Sequence, residues 1–115
     1  NKRLFPDQVV RNGTKSCVVP YATPGAPLRE EIKKSVEEFI GRNGYFPKLI
    51  LLKNHGIITA SASVQEAVVS TLMCEKSAEI FIGAKILNNI QFLTDEEVAA
   101  VDTNPSEKYR RELYK

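Results

Sequence analysis

Leu49-Ile50-Leu51-Leu52-Lys53-Asn54-His55-Gly56-Ile57-Ile58-Thr59-Ala60 is the stretch on which the reading of the chain turns. Four apolar residues in a row, Leu49 to Leu52, predict a strand buried on both faces. Lys53 to Gly56 interrupt the run, and Ile57 to Ala60 resume it as a second strand. Gly56 permits a tight reversal, so the segment predicts a hairpin with His55 at its tip.

Upstream, Ser16 to Val19 read as a short strand stopped by Pro20. Asn12-Gly13 is a turn signal, and Pro6-Asp7 marks a turn or a helix start. Pro24-Gly25 and Pro27 form a loop into a helix running from about Leu28 to Ile40, with Pro27 at its first position. Leu28, Ile32, Val36, Phe39 and Ile40 share one face of that helix, and Gly41 is the expected stop.

Downstream, Ser63 and Glu66 make a capping-box pattern that opens the longest helix, roughly Val64 to Leu87. Val64, Ala67, Val68, Leu72, Ala78 and Ile82 are its expected core stripe. Val69, Met73, Ile80 and Phe81 lie off that stripe, so the helix is expected at the centre of the domain or at a subunit interface. Its spare apolar face predicts self-association. Thr94 to Glu97 form a second capping box before a short helix carrying Val98 and Val101, ended by Asn104-Pro105. Tyr109 to Lys115 read as a charged tail with a last helical turn or two. The order of strand, helix, two strands, long helix and short helix predicts a mixed α/β domain with strands between helices.

The 115 residues suffice for one small domain, and 43% hydrophobic with 26% charged residues is ordinary globular composition. A net charge of +2, with acidic and basic residues interleaved as in Arg29-Glu30-Glu31, gives no basic stripe for nucleic acid. No apolar run approaches a membrane span, so no membrane partner is expected. The chain opens on Asn1 rather than Met and shows no signal peptide, so an upstream natural start and a cytoplasmic location are expected. Cys17 and Cys74 match no ligand spacing and read as reduced thiols.

His55 is the sole histidine. A loop at a strand end is where a scaffold presents functional groups, and neutral imidazole is a good zinc ligand. On spacing alone, a lone histidine more often hydrogen-bonds its own turn than binds a metal. A catalytic zinc needs about three protein ligands, so any site built on His55 borrows donors from elsewhere. Asp7 is a possible carboxylate ligand or a helix cap. Glu75 is an ion-pair member or a polar gap in an apolar face. Lys53 could meet a phosphate or simply be solvated. Cys74 reads as core, and Tyr114 as a tail residue that could reach a neighbouring site. There is no Gly-rich phosphate loop and no G-x-S-x-G elbow.

Leu49 to Ile58 resembles the "LLLxNHGxxx" segment of class II aldolases and adducin heads. Val19 to Gly25 resembles the turn before that family's penultimate helix, and Phe5 to Val10 is similar to its "PDxVV" strand approach. Ser63 to Ala78 resembles the helix after the family's histidine. Phe92 to Val98 and Tyr109 to Arg111 look like a sugar-phosphate aldolase subgroup sometimes fused to a short-chain dehydrogenase. The resemblance implies a three-layer α/β/α fold with a largely antiparallel sheet, and residues 1–115 as the C-terminal portion of the domain. It implies a zinc-dependent lyase that cleaves or forms a ketose 1-phosphate of the rhamnulose or fuculose type through an enediolate. His55 matches one of the family's three zinc-binding histidines. The other two, an H-x-H pair, and the acid/base Glu are absent from this chain and are expected upstream. Alone, the segment is therefore expected to be inactive and to bind zinc weakly. A homo-oligomer, tetrameric in the family, is the implied assembly. Family epimerases and dehydratases share the ligands, and a non-catalytic adducin-like assembly module shares the fold.

Overall fold

The structure is a computed structural model that describes residues 1–113. Its centre is a three-stranded sheet of β1 (Cys17–Val19), β2 (Leu49–Leu52) and β3 (Gly56–Thr59), with β2 in the middle. β1 runs parallel to β2, pairing Cys17 with Ile50 and Val19 with Leu52. β3 runs antiparallel to β2, pairing Leu49 with Thr59 and Leu52 with Gly56. The described sheet is thus mixed, where the family resemblance implied one largely antiparallel. The cause is the connection: α2 (Ala26–Asn43) is a crossover helix, and a crossover returns the chain in the direction it left.

Residues alternate between the two faces of a strand, so the register sorts the layers. Cys17, Val19, Ile50 and Leu52 face α2, where Phe39 is buried against them with Ile32 and Val36 at the edge. Burying the Phe39 ring contributes about 1.5–3 kcal/mol. Leu49, Leu51, Ile57 and Thr59 take the opposite face, toward α3 (Val64–Ile86), whose Thr71 Oγ1 lies 3.2 Å from Thr59 Oγ1. The result is the three-layer α/β/α arrangement, with Leu49 and Ile50 buried on both sides of β2.

The N-terminal segment folds differently from the expected strand approach. Pro6–Asn12 is a helix, α1, packed on α3. Pro6 supplies the pre-set φ of a first turn, Asp7 sits favourably at the positive helix end, and the Gln8 side chain accepts from the Leu4 N–H at 2.8 Å. Gly13, at φ 79°, ends the helix by donating to Val9 O at 2.9 Å. The Asn12-Gly13 signal is therefore a helix terminus.

Gly41 does not stop α2. The helix runs on to Asn43 and ends at Gly44, left-handed at φ 76°, whose N–H donates to Ile40 O at 2.8 Å. At the start of α3, Ser63 Oγ accepts from Glu66 N–H at 3.2 Å, while the Glu66 carboxylate reaches Ala62 N–H rather than that of Ser63. The Thr94–Glu97 box is complete and opens α4 (Asp95–Thr103). Asn104 caps α4 and then accepts from Ser106 N–H at 2.9 Å, so Pro105 starts a further helix, α5 (Pro105–Leu113). Tyr114 lies outside the described residues. No helix among the described residues is long and apolar enough to cross a membrane.

The long helix presents the reverse of its expected face. Val64, Val68, Leu72 and Ile82 point outward, whereas Ser70 and Ser77 are buried. Small residues on the inner face let α1 approach closely. Asn12, fully buried, donates from Nδ2 to Ser70 O and Ser70 Oγ, both at 2.9 Å. Removing that amide leaves the buried Ser70 hydroxyl without its donor and takes the second hydrogen bond from a helix carbonyl, which costs about 1–3 kcal/mol. Asn12→Ala is accordingly expected to lower the urea unfolding midpoint by that stability with the slope unchanged. An unchanged midpoint would show that the α1–α3 seam does not depend on the bond.

Candidate functional site

Parallel β1 and β2 finish at the same edge of the sheet. There Lys53 N–H donates to Val19 O at 3.0 Å and His55 N–H closes the turn on Leu52 O at 3.1 Å. The reversal needs one residue at positive φ, and it is Asn54, at φ 56°, rather than Gly56. Asn tolerates the left-handed region, and the third place of such a turn is where a type II arrangement demands it. Gly56 instead sits in the ladder opposite Leu52. Lys53, Asn54, His55 and Gly56 are all exposed. The His55 ring makes no hydrogen bond among the described residues, and the exposed Tyr21 follows β1 at the same edge.

The structure does not gather the other candidate residues around His55. Asp7 serves the first turn of α1. Glu75 is exposed on α3 without an ion pair among the described residues, the polar-gap reading of that position. Lys53 is exposed beside His55. No group of three His, Cys, Asp or Glu able to hold a metal ion occurs among the described residues.

Cys17 and Cys74 are free thiols, Cys17 buried and Cys74 half-buried. Burial pushes both above the ordinary thiol range; Arg42 opposes the shift at Cys17, and Arg3 opposes it at Cys74. They are protonated packing groups.

Arg3 drew no attention in the sequence, where it reads as a solvated charge. It is buried, donating from Nε to Gly13 O at 2.8 Å and from Nη2 to Ser16 Oγ at 2.9 Å. Desolvation pulls its pKa below the usual guanidinium value. Its contacts bind one part of the chain to another and leave the open turn untouched. No pattern in the sequence marks such a residue, because its acceptors are a carbonyl and a serine.

The structure thus presents an exposed imidazole on a turn after a buried strand, in a β1–α2–β2 unit with α3 behind. Residues 3–82 match the model of the class II aldolase and adducin N-terminal domain, and the chain belongs to that family. The crystal structure of YgbL from Escherichia coli, a candidate aldolase/epimerase/decarboxylase, is similar over 88% of this chain, with 26% identity and a TM-score of 0.65. That of YgbL from Klebsiella pneumoniae, described in the same words, is similar over 87%, with 28% identity and a TM-score of 0.68. In both cases the chain spans only 44% of the other protein's length. No curated protein gives a significant match.

Two measurements test the local chemistry. Asn54→Ala is expected to destabilise the fold by about 1 kcal/mol, since a Cβ-bearing residue without a local polar group is strained at positive φ, while Asn54→Gly is tolerated. Equal unfolding midpoints for the two variants would refute the turn geometry. For the thiols, raised folded-state pKa values mean that the neutral forms are favoured by folding. That stabilisation is complete below the unfolded thiol pKa, about 8.5, and is lost as pH rises through the higher folded values. Maleimide labelling at pH 8 is expected to be about tenfold or more slower in the native protein than in urea. Equal rates would contradict the burial of both thiols.

Proposed function

We propose that His55 is one of the ligands of a divalent-metal centre, zinc in type, in a class II aldolase-like lyase acting on a ketose 1-phosphate, and that these residues are the C-terminal portion of its domain. The observation that carries the reading is the ring itself: solvent-facing, free of hydrogen bonds among the described residues, and held on a backbone pinned by two main-chain bonds. A site ligand is held with little freedom; the turn supplies the backbone part of that restraint for His55.

The residues present fit one donor position of such a centre. The remaining donors, and the outer partner that usually orients a ligating histidine, come from outside the described residues. The family membership and the span of 44% against the longer YgbL chains support that division. When bound, a divalent metal polarises carbonyl and hydroxyl oxygens and makes an adjacent C–H acidic near neutral pH. His55 would contribute one imidazole nitrogen from a backbone position held by the turn. A homo-oligomer, with the site completed by the rest of the polypeptide or by a neighbouring subunit, accords with this assignment.

In the complete gene product, His55→Ala is expected to lower divalent-metal affinity by more than about 100-fold, a larger loss than that of an outer partner. Retro-aldol turnover on sugar phosphates falls with it. Metal content measured by mass spectrometry that matches the unsubstituted protein, with turnover intact, would remove His55 from the centre and leave the non-catalytic assembly module as the better reading.

A further inference from the structure

The outward face of α3 is apolar at both ends and acidic in the middle. Val64 is 82% exposed, Val68 51%, Leu72 58%, Ile82 57% and Ile86 78%, and successive members stand about one turn apart except at the centre. There the places between Leu72 and Ile82 are taken by Glu75 and Glu79, both exposed and without an ion pair among the described residues. At about 1.5 Å per residue, two apolar ends are separated by a carboxylate-bearing gap of about 15 Å. Large exposed apolar residues clustered at both ends of one helix face mark an interaction surface. Like charges four residues apart on a helix also repel, so the pair destabilises α3 until something neutralises it.

The charges select the occupant. If two copies of α3 pair antiparallel so that Val64 meets Ile86 and Val68 meets Ile82, Glu75 falls opposite its own copy. In a parallel pairing, Glu75 meets Glu75 and Glu79 meets Glu79. Both arrangements bring carboxylates together in a partly desolvated seam, where like-charge contact is costly. The self-pairing expected from the apolar residues alone is thus disfavoured by the two glutamates. We infer that the α3 stripe is a docking surface for an amphipathic helix lying outside these 115 residues, with apolar side chains at both ends and Lys or Arg at its middle. The anchors sit in the two apolar clusters, and the basic residue meets Glu75 and Glu79, the helix-in-groove mode with a charge that sets register. The inference uses no property of His55 and stands apart from the metal reading.

The test uses two fluorescein-labelled helical peptides that carry Leu once per turn and differ only at the middle, where one has two Arg and the other two Glu. Anisotropy with the full chain is expected to show the Arg-centred peptide binding about tenfold or more tightly than the Glu-centred one. The double variant Glu75→Lys/Glu79→Lys reverses the preference, a result that an unfolded variant could not give. Leu72→Ser with Ile82→Ser weakens both peptides. Equal affinities, or no binding of either peptide, overturn the inference. So does sedimentation as a dimer that Leu72→Ser disperses, because the stripe is then covered by a second copy.

Discussion

The fold depends on β2 having a neighbour on each edge and a helix over each face, with Leu49 and Ile50 buried and Leu51 and Leu52 half-buried. Its neighbours β1 and β3 take the two hydrogen-bonding edges, α2 takes one face and α3 the other. A four-residue strand has few bonds of its own, so its position comes from those four contacts rather than from length. Each contact is supplied by a different part of the chain, which is why one short apolar run organises residues from Cys17 to Ile86. The open turn inherits its geometry from this arrangement. Lys53 N–H is tied to β1 and His55 N–H to the end of β2, so the backbone that carries the imidazole is placed by the sheet itself.

Much of this was legible in the residues. Leu49 to Thr59 announced two strands and a turn because apolar runs and a break between them have few other solutions. Ser63 and Thr94 announced helix starts because their hydroxyls have a specific job at the first turn. What misled were positions at which two explanations share one residue type. A glycine suggested the end of α2 three residues early, and Gly44 did the work that Gly41 was expected to do. Glycine was also expected to make the hairpin bend, where Asn54 makes it.

The largest divergence concerns α3. Hydrophobic periodicity assigns large apolar residues to the inside, an assignment that presumes a finished surface. Here small residues face α1 and the large ones face outward. Periodicity reported correctly that the helix has an apolar stripe and could not say which side of the molecule it meets. The candidate site shows the same division. His55 stands out because a lone imidazole beside a glycine is chemically distinctive, whereas no group of donors able to hold a metal occurs among the described residues. The buried roles of Asn12 and Arg3 are not legible in the sequence because partners distant along the chain give them those roles.

Arg3 also joins the two ends of the molecule. Its side chain holds Gly13 and Ser16, and its carbonyl accepts from Leu93 N–H at 2.8 Å, just ahead of α4. Closing a loop of that span costs about 4 kcal/mol of chain entropy before any contact is made. The contacts of α1, the sheet and α3 offset that cost in the folded state by holding the two halves of the clasp near each other. The start of α4 is thus tied to a residue some ninety positions earlier in the sequence, and its placement depends on α1, the sheet and α3 holding the two halves of that clasp together.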